Sequence, residues 1–505
     1  MDLSMEFQSN KCCATVFSGT GRQAISTDFT LPDYCGDIER ILHCNAAVQL
    51  HAVSENSDRL RAEGEIEIRL LYQSDEEKLA VFEQHLPLSV TLPVNEQAQN
   101  ELVRAKAAVD YLNCRALSPR KLNLNGSVSV QFEVLQENEE TLVSSLAGCE
   151  VLPQQITVSS LVSLQQRSFD LSETVSLPAE LPDVGGLIHV NGLPVIWSTE
   201  AVDDKLLLKG DLQLDVRYLT PEGTLQRMQH ALPISQVLDA PGVSADSRLD
   251  ISVDPLSVYA QPKRDGADDL RLLDFAVKLS VTIRAYETKT LTATVDCYAP
   301  HGNLQPQMTT RAFSTYLKQL QLSLQQEEMI ETGLVRCEVL DTAILQIKPK
   351  TSVDADTVHV ESDVSLLLLV RDVNGGVHAF ERSVTLNLTE PLHLDADDVR
   401  FSPQVNLQIV SVQPDADGNI RVVLAGQATG NLYAVQQISV LTHAQMCEND
   451  AQPDCQLILS FAKAGEALWP IAKKYRSTVS LIQRENDLSD DVVAEDRLLL
   501  IPTAI

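Results

Sequence analysis

Polar and apolar residues alternate along much of this chain, most clearly in Glu65-Ile66-Glu67-Ile68-Arg69-Leu70. A period of two sends successive side chains to opposite faces of a strand, so one face meets a core and the other meets water. Asp211-Leu212-Gln213-Leu214-Asp215-Val216 reads the same way. Ser362-Asp363-Val364-Ser365-Leu366-Leu367-Leu368-Leu369-Val370-Arg371 is a fainter version. Each run ends in turn chemistry: Gln73-Ser74-Asp75-Glu76, Thr220-Pro221-Glu222-Gly223 and Asp372-Val373-Asn374-Gly375-Gly376. Glycine accepts positive φ without a steric cost, so a second strand returning after each turn is expected.

These runs belong to a repeat. Arg61 to Tyr72 is echoed by Leu207 to Tyr218, with Gly64 falling on Gly210 and Tyr72 on Tyr218. The same offset carries Leu86-Pro87 onto Leu232-Pro233 and His43 onto His189. Upstream of the third run, Gly333-Leu334-Val335-Arg336-Cys337-Glu338 is similar to Arg40-Ile41-Leu42-His43-Cys44-Asn45. The period is roughly 150 residues, long enough for each copy to be a domain rather than a solenoid unit. Later in each copy a proline-containing turn separates two more strands: Ser118-Pro119-Arg120-Lys121, Gln261-Pro262-Lys263-Arg264 and Gln413-Pro414-Asp415-Ala416-Asp417-Gly418. The strands after these turns include Leu272 to Ile283 and Ile420 to Leu424. Antiparallel hairpins with one polar face predict sandwich-like or open-barrel domains. The expected divisions are 1–150, 151–300 and 301–448, marked by prolines near Leu152-Pro153 and Ala299-Pro300, with a short linker at Asn449 to Pro453. Leu317, Leu320 and Leu324 fall at helical spacing, which predicts a helix over Phe313 to Met329 leading the third copy.

The last segment, 456–505, has a different pattern. An apolar strand over 457–461 is followed by Leu468, Ile471, Ala472 and Tyr475 at i, i+3, i+4 and i+7, one face of a helix. Pro470 is tolerated in the first helical turn, where its missing N–H is no loss. Thr478 can cap a second helix carrying Val479 and Ile482, ending near Asn486-Asp487, and Leu498 to Ile501 form a return strand. The expected unit is a small α+β module of order βααβ.

Charge narrows the functions. The formal net charge is −31 over 505 residues. Such a surface repels phosphate backbones and anionic lipid, so neither nucleic acid nor membrane insertion is expected. Residues 457–505 carry six basic groups (Lys463, Lys473, Lys474, Arg476, Arg484, Arg497) and seven acidic ones (Glu466, Glu485, Asp487, Asp490, Asp491, Glu495, Asp496), so nearly all the excess lies upstream. No stretch approaches 18 uninterrupted apolar residues, and Met1 to Asn10 shows no apolar signal core, so a cytoplasmic chain is expected. The ten cysteines form no C-x-x-C pair and read as reduced thiols. Cys12, Cys13, Cys35 and Cys44, with His43, do not have zinc-ligand spacing.

Two resemblances organise these readings. Gly465, Leu468-Trp469-x-Ile471-Ala472-x-x-Tyr475, Asn486-x-Leu488 and Leu499-Leu500-Ile501-Pro502 resemble a LysM domain. Glu466 stands where that family usually has Asp, Arg476 where it commonly has Gly, and Glu495-Asp496-Arg497 where it has Pro-Gly-Gln. The resemblance implies ligand contact by the loops Ala464-Gly465-Glu466-Ala467 and Ser489 through Glu495. The second loop, with Asp490, Asp491 and Glu495 and no glycine, favours a ligand other than N-acetylglucosamine. Leu31-Pro32-Asp33-Tyr34-Cys35-Gly36-Asp37-Ile38-Glu39-Arg40-Ile41-Leu42 is similar to the opening of a SPOCS domain, and Leu181-Pro182-Asp183-Val184 is a degenerate copy. SPOCS repeats followed by one LysM domain resemble the spore-coat morphogenetic proteins of clostridia. That resemblance implies a mainly β protein: three tandem antiparallel β-sandwich-like SPOCS domains plus a small βααβ LysM domain. It implies a mother-cell protein recruited to the forespore surface, which docks on the ATPase of the coat's basement layer and meets other coat proteins or itself. The alternative is a glycan-binding protein attached to peptidoglycan.

No catalytic motif is present, and no cofactor or metal is expected. Gly19-Thr20-Gly21-Arg22 lacks the spacing and lysine of a phosphate loop. Asp415-Ala416-Asp417-Gly418-Asn419 lacks the distal glutamate of a calcium loop and reads as a hairpin turn. The candidate partner-binding residues are Gly465, Glu466, Leu468, Trp469, Lys473, Asp490 and Asp491.

Overall fold

A computed structural model of the protein describes residues 4–56, 58–76, 78–94, 101–354, 357–392, 398–447 and 456–503. The described chain is mainly β, in many small antiparallel sheets. The expected linker at Asn449 to Pro453 lies outside the described residues.

Strands follow one another in a recurring order. The first set is β1 (Met5–Thr30), β2 (Ile38–Asn56), β3 (Arg59–Ser74), β4 (Leu79–Pro93), β5 (Glu101–Ser118) and β6 (Lys121–Leu146). It makes two sheets, β1-β6-β5 and β2-β3-β4. The second set is β7 (Glu150–Ser176), β8 (Gly186–Val202), β9 (Lys205–Leu219), β10 (Leu225–Asp239), β11 (Arg248–Lys263) and β12 (Leu272–Tyr298), paired as β7-β12-β11 and β8-β9-β10. The third is β13 (Asn303–Ile330), β14 (Cys337–Asp354), β15 (Thr357–Asp372), β16 (Val377–Pro391), β17 (Val399–Phe401), β18 (Gln404–Pro414) and β19 (Ile420–Cys447). Here β14-β15-β16 is one sheet, and β19 pairs with β13 on one side and with both β17 and β18 on the other. Within a set, the alternating faces of the two sheets meet: Leu60, Ile66 and Ile68 of β3 share an apolar cluster with Leu124, Val128, Val130 and Phe132 of β6. The turns fall where glycine permits them, with Gly223, Gly375 and Gly418 all at positive φ.

One expectation is corrected. Phe313 to Met329 is not a helix but the second half of β13, paired antiparallel with β19. Leu317, Leu320 and Leu324 fit a helix only if Leu322 is ignored. Leu320, Leu322 and Leu324 turn inward at period two, while Gln319, Gln321, Ser323 and Gln325 are exposed. Pro153 lies near the start of β7, opposite Thr294, and the turn between β6 and β7 falls just before it.

β1, β6, β7, β12, β13 and β19 extend as two-stranded ribbons beyond their third strands, and the sheets β2-β3-β4, β8-β9-β10 and β14-β15-β16 are the inner sheets. These ribbons share clusters of their own, such as Leu142 of β6, Ile156 and Val158 of β7, Leu291 of β12, Phe313 of β13 and Val440 of β19. The inner sheets also meet. Three registers skip one residue at matching places: Ile41/His43 against β3, Leu187/His189 against β9 and Val339/Asp341 against β15. Such a bulge re-aims a side chain. The skipped residues, Leu42, Ile188 and Leu340, all join one cluster with Leu71, Leu219 and Leu367. The residues just after the bulges reach into a neighbouring set. His43 Nδ1 lies 3.2 Å from Glu381, His189 is bonded to Asn45 at 2.8 Å, and Asp341 meets Arg217 at 2.5 Å. First meets third, second meets first and third meets second, a cyclic closure of three sets.

Beyond β19 come β20 (Leu457–Ala462), α1 (Leu468–Tyr475), α2 (Val479–Asn486) and β21 (Arg497–Pro502), with β20 and β21 antiparallel. No described helix is long and apolar enough to cross a membrane.

Candidate docking surface

The C-terminal segment is held by a small core. Leu468, Ile471 and Ala472 are the buried stripe of α1, and they pack with Ala462, Ile482, Val493, Leu499 and Ile501. Ala467 offers no side-chain cap to α1, and the free Leu468 N–H donates instead to Asp491 O at 2.8 Å. At the other end Arg476 takes a left-handed conformation with φ 51°. Thr478 Oγ1 accepts from Leu481 N at 3.1 Å and caps α2. Asn486 is buried and satisfied: its amide donates to Ile482 O and Leu500 O, and its Oδ1 accepts from Leu500 N. That side chain ties α2 to β21.

The two loops expected to contact a ligand are bonded to each other. Gly465 N donates to Val493 O at 2.8 Å, and Val493 N donates to Glu466 O at 2.9 Å. Gly465 is exposed with φ 84°. The Glu466 carboxylate accepts from Lys463 N at 3.1 Å. Asp490 is exposed and accepts from Ser489 Oγ at 3.3 Å, and Asp491 accepts from Gln483 Nε2 at 2.9 Å. Leu468 is fully buried, so its role is to hold α1 in place.

Trp469, half-buried, and Lys473, exposed, both contact the rest of the chain. The Trp469 indole N–H donates to Asp296 Oδ2 at 2.9 Å, and Lys473 Nζ meets Asp296 Oδ1 at 2.5 Å. Burial pushes the Asp296 carboxyl up, but the bonds from Lys473 and Trp469 outweigh it and hold the group below the usual carboxylate range. Tyr298, two residues on, sets its ring edge-on to Trp469 with centroids 5.0 Å apart, and its hydroxyl donates to Ser477 O at 2.8 Å. Burial raises that phenol. Sequence reasoning missed Asp296 and Tyr298, because nothing in a local pattern joins residues so distant along the chain.

The opposite side of the segment is open. Leu457, Leu459 and Phe461 on β20 and Leu498 and Leu500 on β21 are exposed large apolar residues. Leu459 stands opposite Leu500 and Phe461 opposite Leu498, so they form one face. The inner residues Ala462, Leu499 and Ile501 belong to the core.

Other clusters resolve into structure. Glu67, Glu83 and His85 bring their ligating atoms within 4.8 Å of one another. Arg69 already bonds both carboxylates, at 3.2 Å for Glu83 and more closely for Glu67, and supplies the positive charge. His43 and Cys44 diverge, His43 toward Glu381 and Cys44 toward the cluster of Tyr72 and Leu122. Asp415 Oδ1 accepts from the backbone N–H groups of Asp417 and Asn419, closing the hairpin between β18 and β19.

Two segments of the chain, 37–117 and 183–261, match the family model described as SipL, SPOCS domain. They cover β2 to β5 and β8 to β11, corresponding parts of the first two sets. No curated protein and no solved structure matches the chain. The family match supports a SPOCS-domain protein.

Proposed function

We propose that this SPOCS-domain protein is a non-enzymatic assembly adaptor of the spore coat, and that its C-terminal βααβ segment is a LysM domain that grips a protein. The family of its two matched segments suggests a sporulation role tied to the coat. In this reading the third set of strands is a divergent SPOCS repeat, since it shares the strand order of the other two. The partner is the ATPase of the coat's basement layer, met in the mother cell at the forespore surface.

The observation that carries protein docking is the open apolar face of Leu457, Leu459, Phe461, Leu498 and Leu500. A patch of this kind marks a protein interaction site. Docking would also use the exposed rim of Gly465, Glu466, Asp490 and Asp491, with Trp469 and Lys473 joining once Asp296 releases them. A sugar would need polar groups between the two loops, and the backbone groups of Gly465, Leu468 and Val493 are already bonded across them. The test is to titrate the full-length chain against the basement-layer ATPase and, separately, against N-acetylglucosamine oligomers. Saturable protein binding without sugar binding is expected. Sugar binding without protein binding would overturn the proposal and make the chain a peptidoglycan anchor.

A further inference from the structure

The contact between α1 and the end of β12 has the form of a recognition site that is already filled. Trp469 and Lys473 are i and i+4 on α1, so they leave the same side of the helix. Asp296 and Tyr298 are i and i+2 on β12, so they leave the same side of the strand. The two pairs meet closely. One carboxylate takes the indole N–H on one oxygen and the ammonium on the other, at 2.9 and 2.5 Å. One ring packs edge-on against the indole, and its hydroxyl caps the Ser477 carbonyl just past the helix. Cys297, between them, faces a different cluster with Leu441 and Ala444. β12 does not depend on this contact for its own pairing, since Cys297 and Tyr298 are already in register with Val151 and Glu150 of β7. Tyr298 nonetheless belongs to the apolar core of the C-terminal segment.

From this we infer that the Trp469–Lys473 face of α1 is a receptor for an extended protein segment presenting a carboxylate and, two residues on, an aromatic ring. Asp296 and Tyr298 are its resident internal occupant, which a partner displaces. The inference rests on the reading of the C-terminal segment as a docking domain and adds the chemistry of what it recognises. An occupant held in the same chain meets the face intramolecularly, so it masks the face from weaker ligands. A ligand's apparent affinity falls by the fraction of molecules in which the face is free.

The probe is a fluorescent peptide of residues 292–299 with Cys297→Ser to prevent oxidation, titrated by anisotropy into the full-length chain. Asp296→Ala is expected to bind it at least about tenfold more tightly than the unaltered chain, because the face is vacated. Adding Trp469→Ala to Asp296→Ala should abolish that gain, and a peptide carrying Asp296→Asn should lose it. Equal binding by the unaltered and Asp296→Ala chains, or no binding by either, overturns the inference. A second readout does not depend on peptide affinity. The chain holds two tryptophans, Trp197 and Trp469, so 5-fluorotryptophan labelling gives two fluorine signals. Asp296→Asn should move the Trp469 signal and leave that of Trp197; an unmoved Trp469 signal also overturns the inference. If the peptide behaves as expected but the coat ATPase does not bind, the adaptor reading fails and the receptor stands. If the ATPase binds and the peptide is ignored, the reverse holds.

Discussion

The side-chain amide of Asn45 donates to Nδ1 of His189 across 2.8 Å, and this bond joins β2 of the first set of strands to β8 of the second. The amide N–H can only donate, so the imidazole must accept at Nδ1 and carry its proton on Nε2. A charged imidazole would turn an N–H toward that donor. The bond therefore requires a neutral His189 in the folded protein. It is one of three matching bonds that close the inner sheets into a ring, with His43 to Glu381 and Asp341 to Arg217 as the others.

Stability should fall on mild acidification for this reason. Burial, and then the nearby Arg217 charge, push the His189 imidazole down to about 3. An unfolded histidine titrates near about 6.5. Between those values the unfolded chain holds a proton that the folded chain does not, so acid favours unfolding. The contribution is complete above pH 6.5 and is lost as pH falls toward 3. Between pH 6.5 and 5, above the range of ordinary carboxylates, it amounts to roughly 1.5 kcal/mol. Urea unfolding of the full chain at these two pH values should show this loss, and His189→Gln should remove most of it. An equal loss in the variant would place the titrating group elsewhere.

Arg217 and Asp341 carry a buried charge pair across the second and third sets, with side chains 5% and 8% exposed. Arg217 also donates to Thr342 O at 2.8 Å. Removing Asp341 leaves the buried Arg217 only the partly exposed Asp215, 3.2 Å away, to balance its charge, at a cost of up to about 3–5 kcal/mol. Asp341→Leu should therefore lower the urea midpoint strongly. Arg217→Met combined with Asp341→Leu should recover much of the loss, because no unpaired charge remains. A double variant as unstable as the sum of the two single ones would rule out this account.

The extent to which the sequence could be read follows from the range of the interactions. Gly64 and Gly210, Tyr72 and Tyr218, and the alternating runs beside them are local, and they reported the strands and the repeat. Leu468, Ile471 and Ala472 reported α1 for the same reason, as Thr478 reported the cap of α2. Over Phe313 to Met329 two periods compete, and the partner strand β19 decides between them; a single strand's composition does not contain that choice. The ring of His43, His189 and Asp341 was visible only as a repeated histidine, because their partners lie in other sets. The pattern marks Trp469 and Lys473 as candidate partner-binding residues, but their contact with Asp296 depends on how β12 and α1 meet in space.

Gly64 and Gly210 are small because of a bulge. Each lies just where the register beside it slips, between Leu50 and Ala52 and between Ile196 and Ser198. The slip presses a backbone carbonyl against the glycine. An added Cβ would stand 2.0 Å from Gln49 O at Gly64 and 2.4 Å from Val195 O at Gly210. In the third set the register runs unbroken from Gln346 to Asp354, and the equivalent position is Ser362. Gly64→Ala and Gly210→Ala should each destabilise by about 1–3 kcal/mol, the usual cost of overpacking, measured as a lower urea midpoint. Ser362→Ala should cost well under that.

The open face of β20 and β21 separates folding from docking. Phe461 is 61% exposed and Leu498 56%, and they stand opposite each other across the two strands. Neither belongs to the core of the segment, so Phe461→Ser and Leu498→Ser should change stability by no more than about 0.5 kcal/mol, as surface substitutions do. If this face grips the coat ATPase, each should weaken that binding at least about tenfold, or about 1.4 kcal/mol, because the apolar area removed is what the partner covers. Leu499, in the next position on β21, is fully buried. Leu499→Ala should do the opposite, unfolding the segment at a cost of about 2–5 kcal/mol. Melting curves and binding isotherms on the same three variants distinguish the two effects. Unchanged ATPase binding by Phe461→Ser and Leu498→Ser would remove this face from the interface and leave docking to the loop rim of Gly465, Glu466, Asp490 and Asp491.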